Sequence, residues 1–295
     1  MRRSGHPITT ALFATLILLF TGGPVLLALY GSVVPDRVLL NPNLSIFEHG
    51  LSFETYRYVF TGELPASYLV EGANRSMISD AARQVPRSIW NSTRIALAAM
   101  ALNILLGAPA AYVFARHVFP GKRLSFMFII LSPLVPAAAL VTPIYMIMQS
   151  LGLIGSIWGI ILIHTAQALP FTVLILSVFF RKIPAELFEA AVLDRCSRLQ
   201  AFLRIAVPLA LPSIGATGLF AFMLSYSEYI FSLVLSGDAR SRPVSVVMAA
   251  LARNTDVSWS LLNTSIFIAI IPTLLLVVLV WRYVVEGLLS GAVKG

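Results

Sequence analysis

The sequence predicts an all-α protein of the membrane, a polytopic bundle of six transmembrane helices. Of its 295 residues, 58% are hydrophobic and 12% charged, and the mean hydropathy is +0.87, a balance that excludes an ordinary soluble domain. The apolar residues are gathered into runs of about 20 or more, the length a helix needs to cross hydrocarbon. The basic residues stand at the ends of those runs, so the net charge of +8 acts on orientation. Nucleic-acid binding would instead need them on one face with interleaved aromatics.

The first run, 8–34, follows Arg2 and Arg3. A cleaved signal core is about 7–15 residues long, so this run is read as a retained span. Gly22, Gly23 and Pro24 interrupt it, as membrane helices tolerate. The polar loop 35–88 comes next. It is long enough to carry structure of its own, and equally fits a solvated connector. Five further runs, 89–114, 124–149, 153–180, 205–235 and 261–285, complete six spans in a single permease domain, 1–295. If the spans alternate, the basic connections around 116–123 and 181–204 share a side with both termini, and the positive-inside rule makes that side cytoplasmic. The 151–156 connection on the other side carries no charge.

Prolines lie within nearly every span, including Pro133, Pro136, Pro143, Pro170, Pro208 and Pro212. Each removes a backbone donor and weakens its helix, which suits a deformable pathway. Polar residues inside the spans are Asn103, Gln149, His164, Gln167, Tyr226 and Glu228. Such groups usually face the bundle interior and mark a candidate translocation path. For His164 an interhelical hydrogen bond is the competing reading. No cluster has metal-ligand spacing, and no Walker loop or nucleophile elbow occurs, so neither ATP binding nor catalysis is expected of this chain. The single Cys196 permits no internal disulfide.

The polar segment 181–204 separates two apolar runs and has the marks of two short helices at the membrane surface. Pro184 suits a first helical position, after which Leu187, Ala190, Ala191 and Asp194 fall on one face. Ser197 and Gln200 form a capping-box pattern that starts the second helix, with Leu199, Phe202 and Leu203 as its apolar side.

The residues Glu189-Ala190-Ala191, Asp194, Ile205 to Pro208 and Pro212 resemble the cytoplasmic coupling loop, the EAA loop, of ABC importer permeases. Trp90-Asn91-Ser92, Ala111 to Arg116 and the tail Gly287 to Gly295 look like the corresponding segments of the carbohydrate family, the tail like that of the maltose-type second permease. Leu51 to Phe60 resembles the segment sugar-importer permeases place before the second span. The resemblance implies a permease subunit of a binding-protein-dependent importer of a sugar or sugar derivative, in the bacterial inner membrane. It implies ATPase coupling through Leu187, Glu189, Ala190, Ala191, Asp194 and Arg195, and an ATPase-contacting tail of Gly291, Ala292, Val293, Lys294 and Gly295. The implied partners are a second, different permease chain, two ATP-binding cassette subunits that hold ATP and Mg, a periplasmic solute-binding protein and membrane lipids. One position departs from the pattern: Arg195 stands where the family usually has Gly, so a left-handed turn there would cost roughly 1 kcal/mol. A secondary transporter driven by an ion gradient, with Glu228 and His164 as proton relay, is the alternative. It accounts for neither the loop nor the tail.

Overall fold

The computed structural model describes residues 7–41, 50–64, 79–254 and 257–292. In chain order the helices are α1 (Pro7–Val33), α2 (Asp36–Leu39), α3 (Glu54–Thr61), α4 (Asp80–Arg116), α5 (Lys122–Leu131), α6 (Ala137–Ser150), α7 (Ile157–Lys182), α8 (Ala185–Leu193), α9 (Arg198–Leu209), α10 (Leu211–Ser227), α11 (Ile230–Leu235), α12 (Val244–Arg253) and α13 (Trp259–Ala292). No strand occurs among the described residues. Packing divides the chain into two compact units, 1–86 with 247–271 and 87–246 with 272–295.

The first unit is joined by hydroxyl groups. Asp36 caps α13, its carboxylate accepting from the backbone N–H of Trp259 (3.2 Å) and Ser260 (2.6 Å) and from Ser260 Oγ (2.7 Å). An acceptor there meets donors that have no partner inside the helix, and its negative charge suits the helix dipole. Thr55 and Thr264 share a hydrogen bond of 2.8 Å, and both donate to Ser32 O. Tyr58 is buried and accepts from Ser79 N–H. The segment 35–88 therefore carries ordered helix at α2 and α3, and α4 begins at Asp80, nine residues before the expected start of the second span.

The second unit holds two apolar clusters, one around Tyr112, Phe180 and Phe202, the other around Ile95, Ile160 and Phe231. Helices α4 and α7 approach closely at Gly107, where a Cβ would stand 2.5 Å from Thr172 Cγ2, the small-residue contact that lets membrane helices pack.

Among the described residues four helices are long and apolar enough to cross a membrane, within α1, α4, α7 and α13. Two of the expected spans are not continuous. The run 124–149 bends by 103° between a short turn, Ser132–Leu134, and α6. Val135 is extended there (φ −70°, ψ 122°), as steric conflict with Pro136 requires of the preceding residue. The run 205–235 bends by 79° between α9 and α10, then breaks again at Glu228 before α11. Six crossings follow if each bent pair is one crossing.

Candidate functional site: a coupling segment and a buried polar pair

Helix α8 starts one residue later than the sequence suggests, with Pro184 as its N-cap in an extended conformation. It ends in a Schellman motif: Arg195 N–H donates to Val192 O (3.0 Å) and Cys196 N–H to Ala191 O (2.9 Å). The residue closing this motif must be left-handed. Arg195 has φ +57°, the sole non-glycine with positive φ among the described residues. The expected strain is thus present, and its guanidinium is exposed. Ser197 and Gln200 complete both halves of the capping box that starts α9.

The apolar faces differ from the expected ones. Ala191 is buried, whereas Leu187, Glu189, Ala190, Asp194 and Arg195 are exposed, so the face Leu187–Ala190–Ala191–Asp194 is not one environment. Val192 and Leu193 are 72% and 83% exposed. The inward anchor is Phe188, under the Arg116 guanidinium at 4.6 Å and 6.0 Å from the Tyr112 ring. Arg116 also donates to Ile183 O. In α9 Ala201, Phe202 and Ala206 are buried, Phe202 standing 5.1 Å from Tyr112, while Leu199 and Leu203 are exposed. A π-turn follows over Phe202–Ala206, where Val207 N–H reaches back five residues to Phe202 O. Pro208 has no N–H to offer Arg204 O, which leaves the α ladder open at this point.

Among the polar residues of the spans, the structure brings two together. His164 Nε2 donates to Glu228 Oε2 at 3.0 Å, and His164 Nδ1 lies 2.8 Å from Ser225 Oγ. Glu228 also accepts from the backbone N–H of Phe231 and Ser232, both at 2.9 Å, and so caps α11. Its side chain is 12% exposed and that of His164 1%. A carboxylate buried this far persists because each oxygen is met by donors. Asn103 is fully buried and ties α4 to α7, donating to Thr165 O and accepting from Thr172. Tyr226 stacks on Phe222, Gln167 is half-buried and Gln149 exposed. Of the tail residues, Gly291 and Ala292 end α13, and Val293, Lys294 and Gly295 lie outside the described residues.

Asn91 and Ser92 form a further polar anchorage that periodicity did not disclose. Asn91 Nδ2 donates to Ala239 O (3.3 Å) and Arg242 O (3.1 Å), and Ser92 Oγ accepts from Val244 N–H (2.8 Å). The Ser245 hydroxyl donates to Glu228 O at 2.7 Å. The loop after the fifth run is therefore fastened at both ends. Only the local pattern Trp90-Asn91-Ser92, polar groups opening an apolar run, signalled it.

Broken spans, a buried intramembrane His–Glu hydrogen-bonded pair and a two-helix surface segment between spans define a multi-pass membrane permease. Residues 103–289 match the family described as binding-protein-dependent transport system inner membrane component. The trehalose transport permease SugB of Mycobacterium tuberculosis is 31% identical over 287 residues, 97% of each chain. The sulfoquinovosyl glycerol transport permease SmoH of Agrobacterium fabrum is 28% identical over 293 residues, 99% of this chain and 95% of that one. In fold, the chain matches part of a bacterial ABC transporter that imports alginate, with a TM-score of 0.71 at 19% identity, covering 96% of this chain and 99% of the other. The chain belongs to the family of inner-membrane permeases of binding-protein-dependent transport systems.

Proposed function

We propose that this chain is one of two different permease subunits of an ATP-driven importer for a sugar or sugar derivative. The observation that carries the reading is α8, whose exposed Glu189, Val192 and Leu193 face outward while Phe188 and Ala191 anchor it inward. An apolar ridge with the exposed carboxylates of Glu186 and Glu189, set between spans, is a docking element awaiting a partner. The solute class comes from the relatives, named for trehalose, sulfoquinovosyl glycerol, diacetylchitobiose and trehalose/maltose transport.

In this reading two ATP-binding cassette subunits hold ATP and Mg, and this chain holds no cofactor. Leu187, Glu189, Ala190, Ala191, Asp194 and Arg195 form the coupling surface. Gly291, Ala292, Val293, Lys294 and Gly295 extend toward the ATPase pair. Residues 1–295 act as a single permease domain in the bacterial inner membrane, with both termini cytoplasmic. The loop 236–244 faces a periplasmic solute-binding protein. A related fold has been captured with an alginate-bound periplasmic protein. His164 and Glu228 border the path at the break of the fifth span. Motion enters through α8 and passes by Phe188 and Phe202 to the ends of α4 and α7. The bend at Ala210 lets α9 and α10 change angle without unfolding either, the two-state element that alternating access needs. Family membership removes the ground for an ion-driven carrier.

The test is Glu189→Lys in the co-purified complex. Charge reversal at a docking surface adds repulsion, so the complex should persist while solute-stimulated ATP hydrolysis is abolished. Normal stimulated hydrolysis would remove the coupling role.

A further inference from the structure

At one end of the second unit, the terminus of α4, the start of α5 and the terminus of α7 converge on an open cavity of about 540 Å³. Three cations line it: Lys122, Arg123 and Arg181. Phe119 and Phe126 line it too, and the Arg181 guanidinium stands over the Phe126 ring at 5.6 Å. Phe119 is shared with a second cavity of about 470 Å³ that adds His117 and Arg198. No carboxylate pairs with any of these cations among the described residues, where the ion pairs are Arg57–Glu63, His164–Glu228 and Arg240–Asp238. Like charges held around a cavity without a counter-ion repel one another, so a bound anion would lower the energy of this end of the unit.

The surroundings specify what kind of anion. Helix α5 buries none of its residues, and Leu124, Phe128 and Leu131 lead away from the cations along an exposed apolar strip. A headgroup phosphate among Lys122, Arg123 and Arg181 would leave its acyl chains on that strip. A small hydrophilic anion would leave it uncovered. We infer that the cavity between the ends of α4, α5 and α7 is a binding site for an anionic phospholipid. The site rests on the chain being membrane-embedded and does not depend on the ATPase partners or the solute proposed above. Its failure and theirs are therefore separable. His117, whose buried Nδ1 has no hydrogen-bond partner, lines the second cavity, and its carbonyl accepts from Lys122 Nζ at 2.8 Å. Burial first, and then the charges of Arg198 and Lys122, hold the His117 pKa below its ordinary value.

The full chain is placed in phosphatidylcholine nanodiscs doped with phosphatidylglycerol, and the lipids retained on release are counted by native mass spectrometry. The wild type should hold phosphatidylglycerol in preference to phosphatidylcholine. Lys122→Gln/Arg123→Gln/Arg181→Gln should weaken that retention roughly a hundredfold, since three cations near a phosphate each contribute about a factor of five. Lys122→Arg/Arg123→Lys/Arg181→Lys should keep it, which separates lost charge from lost folding. An equal charge removal at Arg57, Arg240 and Arg253 should also leave it unchanged. Equal retention of phosphatidylcholine, displacement by inorganic phosphate, or unchanged retention in the glutamine variant would each overturn the assignment. So would a glutamine variant that keeps its lipid but loses a co-purifying water-soluble protein, because the cavity would then be a protein contact.

Discussion

The two ends of the second unit treat their polar groups in opposite ways. At the end containing Asn91, His164 and Glu228, nearly every buried donor meets an acceptor of the same unit, and the loop 236–244 is bound into that network. At the end containing Arg116, Lys122 and α8, cations lack counter-charges and large apolar side chains such as Leu193 stand in the open. Buried polar groups are expensive unless paired, so the first end is finished by its own sequence. The second is finished by what binds it. A transporter that must receive motion at one end and hold a gate at the other is served by that asymmetry.

The largest effect should come from opening the closed end. Glu228→Ala removes the acceptor for His164 Nε2 and for two backbone N–H groups. Breaking one side of a buried pair typically costs about 3–5 kcal/mol, so the thermal midpoint of the detergent-solubilised complex should fall sharply. Glu228→Gln, which still accepts, should fall less. Equal small losses in both variants would show that the pair is not the fastening.

Asn91→Ala should come next, at about 2 kcal/mol, because two carbonyls lose their donor. Amide exchange should quicken selectively across 237–244. Unchanged exchange there would mean that Asn91 does not hold the loop.

At the open end the expected effect is smaller and of opposite sign. Arg195→Gly removes the penalty of a long side chain at φ +57° and should stabilise the complex by about 1 kcal/mol. If the guanidinium also reaches a partner, solute-stimulated ATP hydrolysis should fall although stability rises. A loss of stability would contradict the strain.

The smallest effect concerns protons. The folded His117 has a pKa below its ordinary 6.5, first through burial and then through Arg198 and Lys122. Between those two values the unfolded chain binds a proton that the folded chain refuses. His117 therefore costs stability as pH falls below about 6.5 and nothing above it. Thermal midpoints measured from pH 7.5 to 5.5 should decline slightly more steeply for the wild type than for His117→Gln, and identical slopes would place His117 in ordinary solvent.

How much of this could be read beforehand depended on the range of the interaction. The capping box of Ser197 and Gln200 is local, set by residues three apart, and the sequence displays it directly, whereas the left-handed turn at Arg195 was expected only because the family usually has Gly there. The 103° and 79° bends were announced by Pro133, Pro136, Pro208 and Pro212, yet hydropathy reads through a proline and returned unbroken spans. The inward anchor Phe188 was missed because a helix half sunk in an aromatic cluster has no clean apolar period: what faces Tyr112 is decided by residues about 75 positions away. His164 and Glu228 were each suspect as intramembrane ionisable groups, but their pairing joins residues 64 apart and has no sequence signal.

The π-turn over Phe202–Ala206 holds one residue more than an α turn would, and this bears on how the chain tolerates insertion and deletion. Each residue advances a helix by about 100° of rotation. Removing one of the five would let the turn close as an ordinary α turn, with Ser197 and everything before it keeping its angle to Pro208 and everything after, whereas inserting a further residue would turn the two sides by about that angle. Phe202 would swing off Tyr112, and α8 would present a different side to whatever docks on it. Between Ser197 and Pro208, then, length is a phase setting: substitutions there adjust the strength of the linkage, and a single-residue insertion changes its direction.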